Sequence, residues 1–118
     1  MMTAATLDSD AIQVDEAKLR EMVRRIVDAV HPDRIILFGS RARGDARPDS
    51  DYDLLIVAPS DRPAWDRTGD LYNVLRGLGA SKDIIWYTPE EADEWRNVPS
   101  ELATRAQQEG RVVYERPA

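Results

Sequence analysis

Apolar positions along the chain follow two different periods, and the switches between them mark out its elements. From Asp15 onward, Leu19, Met22, Val23, Ile26, Val27 and Val30 recur at the three-and-four spacing of one helical face, and His31-Pro32-Asp33 ends the pattern. Arg34–Phe38 is a short Ile-rich run bounded by a turn and then by glycine, which suits a buried strand. A helical turn over residues 40–44 and a polar loop over 45–50 lead to a second apolar run, 52–58, which Pro59 closes. Leu71, Val74, Leu75 and Leu78 fall on one face of a helix that Gly79 can terminate, and a third strand follows at 83–87. Thr88-Pro89-Glu90-Glu91 has the makings of a capping box, so a short helix should start there. A further helix is expected from Pro99 or Ser100 to Glu109, closed by Gly110, and then a last short strand at 111–114.

Helices alternating with short buried strands place the chain in the α/β (α+β) class. Residues 1–13 carry no sustained period and read as a flexible arm. Residues 14–118 contain no Gly/Ser-rich or Pro-rich divider and read as a single domain.

Composition narrows the chemistry. The chain has 118 residues, 42% of them apolar, which is enough to form a core. With 22 acidic against 16 basic side chains its formal charge is -6, so direct nucleic-acid binding is not expected. It has no cysteine and a single histidine, His31, which excludes a disulfide scaffold, thiolate zinc sites and histidine-based metal centres. Any metal must therefore be held by oxygen. No apolar run approaches the roughly 20 residues that span a bilayer, and no signal region opens the chain, so the expected compartment is the cytoplasm.

The chemically informative stretch is Phe38-Gly39-Ser40-Arg41-Ala42-Arg43-Gly44, followed by Ser50-Asp51-Tyr52-Asp53-Leu54. A glycine after a buried strand lets the backbone turn sharply and lets a ligand come close, and Ser40 offers both a hydroxyl and an N–H. Arg41, Arg43 and Arg47 set three cations in an otherwise acidic chain, and guanidinium groups match phosphate oxygens in pairs. An anionic ligand is implied. Asp51 and Asp53, two apart on an extended segment, point to the same side while Tyr52 points to the other. Two carboxylates about 4 Å apart repel by roughly 4 kcal/mol at an effective dielectric near 20, which calls for a counter-charge. Mg²⁺ suits that role, because it takes a few carboxylates together with water and substrate phosphates. Asp83, at the start of the third strand, is the candidate third carboxylate and general base if that strand lies beside the second; the sequence does not show this adjacency.

Each feature also has a plainer reading. Gly-Ser alone marks a turn, and Asp-X-Asp alone a solvated strand end. Arg41 and Arg43 could pair with surface acids. Trp65, Trp86 and Trp95 read as packing residues rather than a base-stacking platform, His31 as a helix-end residue, and Tyr114 as packed.

Together, these residues resemble the minimal (MNT-type) nucleotidyltransferases of the DNA polymerase β superfamily. The signature of that family is Gly-Ser, ten intervening residues, then Asp-X-Asp, and Gly39-Ser40 with Asp51-Tyr52-Asp53 meets it without a missing member. The resemblance takes in Ala42-Arg43-Gly44, the strand carrying Asp83 and the closing Gly110-Arg111-Val112-Val113-Tyr114-Glu115. It implies a polymerase-β-like fold, a mixed β-sheet flanked by helices. It also implies transfer of a nucleotidyl group from a triphosphate with two Mg²⁺ ions and release of pyrophosphate. Asp51, Asp53 and Asp83 would be the catalytic and metal-binding residues, with Gly39, Ser40, Arg41 and Arg43 at the nucleotide. Many such proteins are encoded with a HEPN-domain partner, and characterised pairs act as toxin and antitoxin through transfer of AMP from ATP to a tyrosine of the HEPN protein. The expected function is therefore that of a protein adenylyltransferase, since little chain remains beyond the core to build a separate acceptor site. The alternatives are a small-molecule nucleotidyltransferase and a non-catalytic toxin-binding module.

Overall fold

A computed structural model describes residues 2–44, 46–47, 49–94 and 110–117, with side chains from Glu16 onward. Helix α1 spans Met2–Val30, strand β1 Arg34–Phe38, helix α2 Ser40–Arg43 and strand β2 Tyr52–Val57. A short 3-10 turn at Ala64–Asp66 precedes α3 (Gly69–Val74), followed by β3 (Lys82–Tyr87), α4 (Pro89–Glu94) and β4 (Arg111–Glu115). The expected helix at 99–109 lies outside the described residues, as does Trp95.

The sheet is mixed, with strand order β3-β2-β1-β4. β1 is antiparallel to both β2 and β4, whereas β2 and β3, joined through α3, run parallel. Period-two alternation splits the strand side chains between two layers. On one face Ile35, Leu37, Leu54, Ile56, Ile84 and Trp86 pack with Leu19, Met22 and Ile26 of α1 and Leu71 of α3. On the other, Ile36, Leu55 and Val57 pack with Ala92 of α4, beside Phe38, Ile85 and Tyr87. Both central strands are covered on their two faces, which explains why they read as unbroken apolar runs.

Polar contacts close the element ends. Thr88 N–H donates to Glu91 Oε1 at 2.9 Å while Glu91 N–H donates to Thr88 Oγ1 at 3.2 Å, so the expected capping box forms. Arg25 of α1 donates to the Val74 and Arg76 carbonyls, each at 3.2 Å, covering the C-terminal end of α3. The outer edge of β3 is guarded in the same way: Tyr72 Oη accepts from Ile84 N–H at 3.0 Å and Arg67 donates to the Trp86 carbonyl at 3.2 Å.

The backbone of α1 includes residues 2–13, and the division at Val14, with residues 1–13 as an arm, is kept as a proposal. Two expectations need correction. Helix α3 stops at Val74, before Leu78, because the chain turns at Gly77 with φ 88°, though Val74 and Leu78 still pack against the core. Trp65, expected to pack, is 85% exposed, whereas Trp86 is buried with its Nε1–H donating to the Ala58 carbonyl at 2.8 Å. His31 is an exposed helix-end residue at φ 49°, and Tyr114 packs against the core, both as expected.

Candidate active site

Asp53 and Asp83 are direct partners across the parallel β2 and β3, and Phe38, the last residue of β1, pairs with Asp53 from the other side. By strand alternation both carboxylates belong to the α4 face of the sheet, at the end where β2 and β3 begin. Asp51 stands one residue before β2 and is exposed. The strand order therefore supplies the adjacency that the sequence leaves open.

Gly39 links β1 to α2 at φ 74°, ψ -156°, a region used almost only by glycine. A Cβ placed there would stand 2.1 Å from Asp53 Oδ2. The Asp53 carboxylate thus rests against the bare Cα of Gly39, and the two halves of the motif are in contact. Ser40 opens α2, and the Gly39 carbonyl accepts from the N–H groups of Ala42 and Arg43, each at 3.1 Å. Gly44, at φ 87°, closes the turn with its N–H on the Ser40 carbonyl at 3.0 Å.

Burial pushes the Asp53 carboxyl above its ordinary value, the charges of Asp83 and then Asp51 push it the same way, and Arg43 pulls it back. Asp53 is thus the point where three carboxylates and one guanidinium meet electrostatically. Among the described residues, no three His, Cys, Asp or Glu side chains are gathered closely enough to hold a metal ion as they stand. The donor chemistry nonetheless fits a hard divalent cation: oxygen ligands only, at or next to the starts of adjacent strands.

Arg41 behaves differently from Arg43. Its guanidinium lies 3.9 Å from the centroid of the Tyr52 ring and donates to the Ser50 carbonyl from Nε at 3.1 Å and from Nη2 at 2.8 Å. It faces the loop before Asp51, a role that sequence reasoning missed. The spacing of Arg41 to Tyr52 gave no signal, because the contact joins groups of two different elements and is set by tertiary packing.

Cavities of about 300 and 340 Å³ adjoin Arg41 and Tyr52, and a groove of about 510 Å³ runs between α1 and β4. None of the three is lined by Asp51, Asp53 or Asp83. Asp51 and Asp83 are exposed and Asp53 is half-buried.

A tight glycine turn set against carboxylates brings backbone donors and hard oxygen ligands to one place, where a phosphate and a divalent cation could meet. Residues 16–114 match the nucleotidyltransferase domain family, and the chain belongs to that family. Its members transfer a nucleotidyl group from a nucleoside triphosphate and generally use a divalent metal. The crystal structure of a proposed nucleotidyltransferase from Sulfolobus solfataricus is similar, with a TM-score of 0.62 and 25% identity over 93% of this chain and 86% of that one. No curated protein matches the chain. No helix among the described residues is long and apolar enough to cross a membrane.

Proposed function

We propose that this nucleotidyltransferase transfers AMP from ATP to an acceptor hydroxyl, a tyrosine of a HEPN-type protein, and thereby acts as an antitoxin of the MNT type. The observation that carries the reading is the meeting of Gly39, Asp53 and Asp83 at the β2 and β3 starts. The Gly-Ser and Asp-X-Asp spacing supports the MNT assignment. The exposure of Asp51 and Asp83 supports a macromolecular acceptor, since a side chain presented by a partner can reach exposed carboxylates.

In this reading Gly39 and Ser40 hold the triphosphate through the close approach of the backbone and the Ser40 hydroxyl, and Arg43 offsets charge on its phosphates. Asp51 and Asp53, joined by Asp83, would hold Mg²⁺, as one ion or two. The bound metal would polarise the phosphate oxygens and stabilise the charge that develops on them. Asp83 takes the proton of the acceptor hydroxyl as its oxygen bonds to the α-phosphorus. The bond from that phosphorus to the oxygen bridging the β-phosphate breaks, and pyrophosphate leaves with the electron pair.

The test is to incubate the purified chain with the proposed partner, a HEPN-type protein encoded in the same operon, ATP and Mg²⁺, and to weigh the partner intact. An adenylyl increment on a tyrosine is expected. A tight complex with no increment would instead fit a binding module without catalysis, and an increment on an added small molecule alone would fit the antibiotic-modifying type of enzyme.

A further inference from the structure

Arg41 sits beside Ser40 in the glycine turn, where a phosphate contact is the obvious role, yet its guanidinium is directed at the chain itself. Two of its N–H groups grip the Ser50 carbonyl, at 2.8 and 3.1 Å, and Nη2 reaches the Arg47 carbonyl at 3.5 Å. Its flat face covers the ring of Tyr52, which is only 2% exposed and belongs to the main core. Ser50 in turn accepts from Arg47 N–H at 2.8 Å through its hydroxyl and donates its own N–H to the Arg47 carbonyl at 3.0 Å.

The gripped carbonyl belongs to the peptide bond that leads into Asp51. Asp51 stands outside β2, so the strand ladder alone does not fix it. Resting on the proposed function, we infer that Arg41 is a positioning residue: it ties α2 to the loop before Asp51 and orders that carboxylate for metal before nucleotide arrives. The role needs a planar fork that stacks and donates at once, which lysine does not provide. Partners that orient a metal ligand from behind typically change metal affinity by about 10- to 100-fold when lost.

The test uses the full chain and the variants Arg41→Lys, Arg41→Met, Asp51→Asn and the double variant Arg41→Lys/Asp51→Asn. Mn²⁺ affinity is read by electron paramagnetic resonance with α,β-methylene-ATP present, and affinity for the analogue is measured separately without metal. Both Arg41 variants should lose about tenfold or more in Mn²⁺ affinity while analogue affinity without metal changes less than about twofold. Arg41→Lys should add little to the loss already caused by Asp51→Asn. In the metal-free chain, the ¹⁵N order parameters of Ser50 and Asp51 should fall from about 0.85 to below about 0.6 on Arg41→Lys, with the core unchanged.

Arg41→Lys retaining Mn²⁺ affinity while Arg41→Met loses analogue affinity would overturn the inference in favour of a phosphate contact. Additive losses in the cycle would also overturn it. A parent chain that binds neither Mn²⁺ nor the analogue would overturn the functional reading and, with it, this assignment.

Discussion

Asp53 and Asp83 face one another across the parallel pair β2 and β3, and Gly39 closes the far side of Asp53 so tightly that a methyl group there would meet its Oδ2. The parallel pairing follows from the α3 crossover, which returns the chain to the same edge of the sheet. Both strands therefore start at the same end, and the side chains at their starts share a site.

Replacement of Asp53 should separate function from stability. Asp53→Asn removes a proposed metal ligand, and transfer should fall by at least about 100-fold, a loss typical of removing one electrostatic stabiliser from a transition state. Stability should move the other way. The folded pKa of Asp53 is raised, so the folded state binds its proton more tightly than the unfolded state, and a penalty is fully present above the folded pKa. Melting in EDTA at neutral pH should thus show Asp53→Asn more stable than the parent, and Mg²⁺ should stabilise the parent alone. A variant destabilised in EDTA would contradict the electrostatic picture.

Gly39→Ala tests the close approach. The new methyl needs a backbone region that costs about 1–3 kcal/mol for other residues, and it must also displace the Asp53 carboxylate. Urea unfolding should register that loss, and Mg²⁺-dependent stabilisation should vanish. Retained stability with intact Mg²⁺ response would show that the turn accepts side chains.

How much of this was legible beforehand depends on the range of the interaction. The α1 stripe of Leu19, Met22 and Ile26, the strands and the Thr88–Glu91 capping box are local patterns, and all appear in the structure. The family emerged from Gly39-Ser40 and Asp51-Tyr52-Asp53, whose spacing carries the signature. The pairing of Asp53 with Asp83 did not, because strand order is set by packing of the whole sheet. The Arg41 grip on Ser50 was equally hidden, since a guanidinium beside Ser40 suits a phosphate as well as it suits a carbonyl. Trp65 was misread because composition favours buried tryptophan, while the Pro63-led 3-10 turn carries this one outward.

The buried Arg67 anchors the other end of the β3–α4 unit. It donates from Nη1 to Glu91 Oε1 at 2.6 Å, from Nη2 to Oε2 at 3.3 Å, and from Nε to the Arg62 carbonyl at 2.9 Å. Arg67→Ala should cost about 1–3 kcal/mol in urea unfolding, since it removes the ion pair with Glu91 and leaves the Arg62 and Trp86 carbonyls without their donor. Hydrogen bonds from Arg67 hold the Glu91 carboxyl below its ordinary value, so the pair contributes stability above the unfolded pKa near 4.5 and loses it as pH falls through the lower folded value. The parent should therefore lose stability on acidification below about pH 4.5 more steeply than Glu91→Gln. Parallel acid profiles would contradict the assignment.

Tyr72→Phe removes the acceptor for Ile84 N–H at the outer edge of β3, one residue from Asp83. A loss of about 1 kcal/mol is expected, with faster amide exchange at Ile84. Unchanged exchange would show that another group covers this edge.

The most direct measurement of nucleotidyl transfer compares ATP labelled at the α-phosphate with ATP labelled at the γ-phosphate, each incubated with the chain, Mg²⁺ and the proposed HEPN-type partner. The site built on Asp53 and Asp83 should place the α label on the partner and release the γ label in pyrophosphate, and Asp53→Asn should do neither. Gamma label on the partner, or α label that persists in Asp53→Asn, would contradict it.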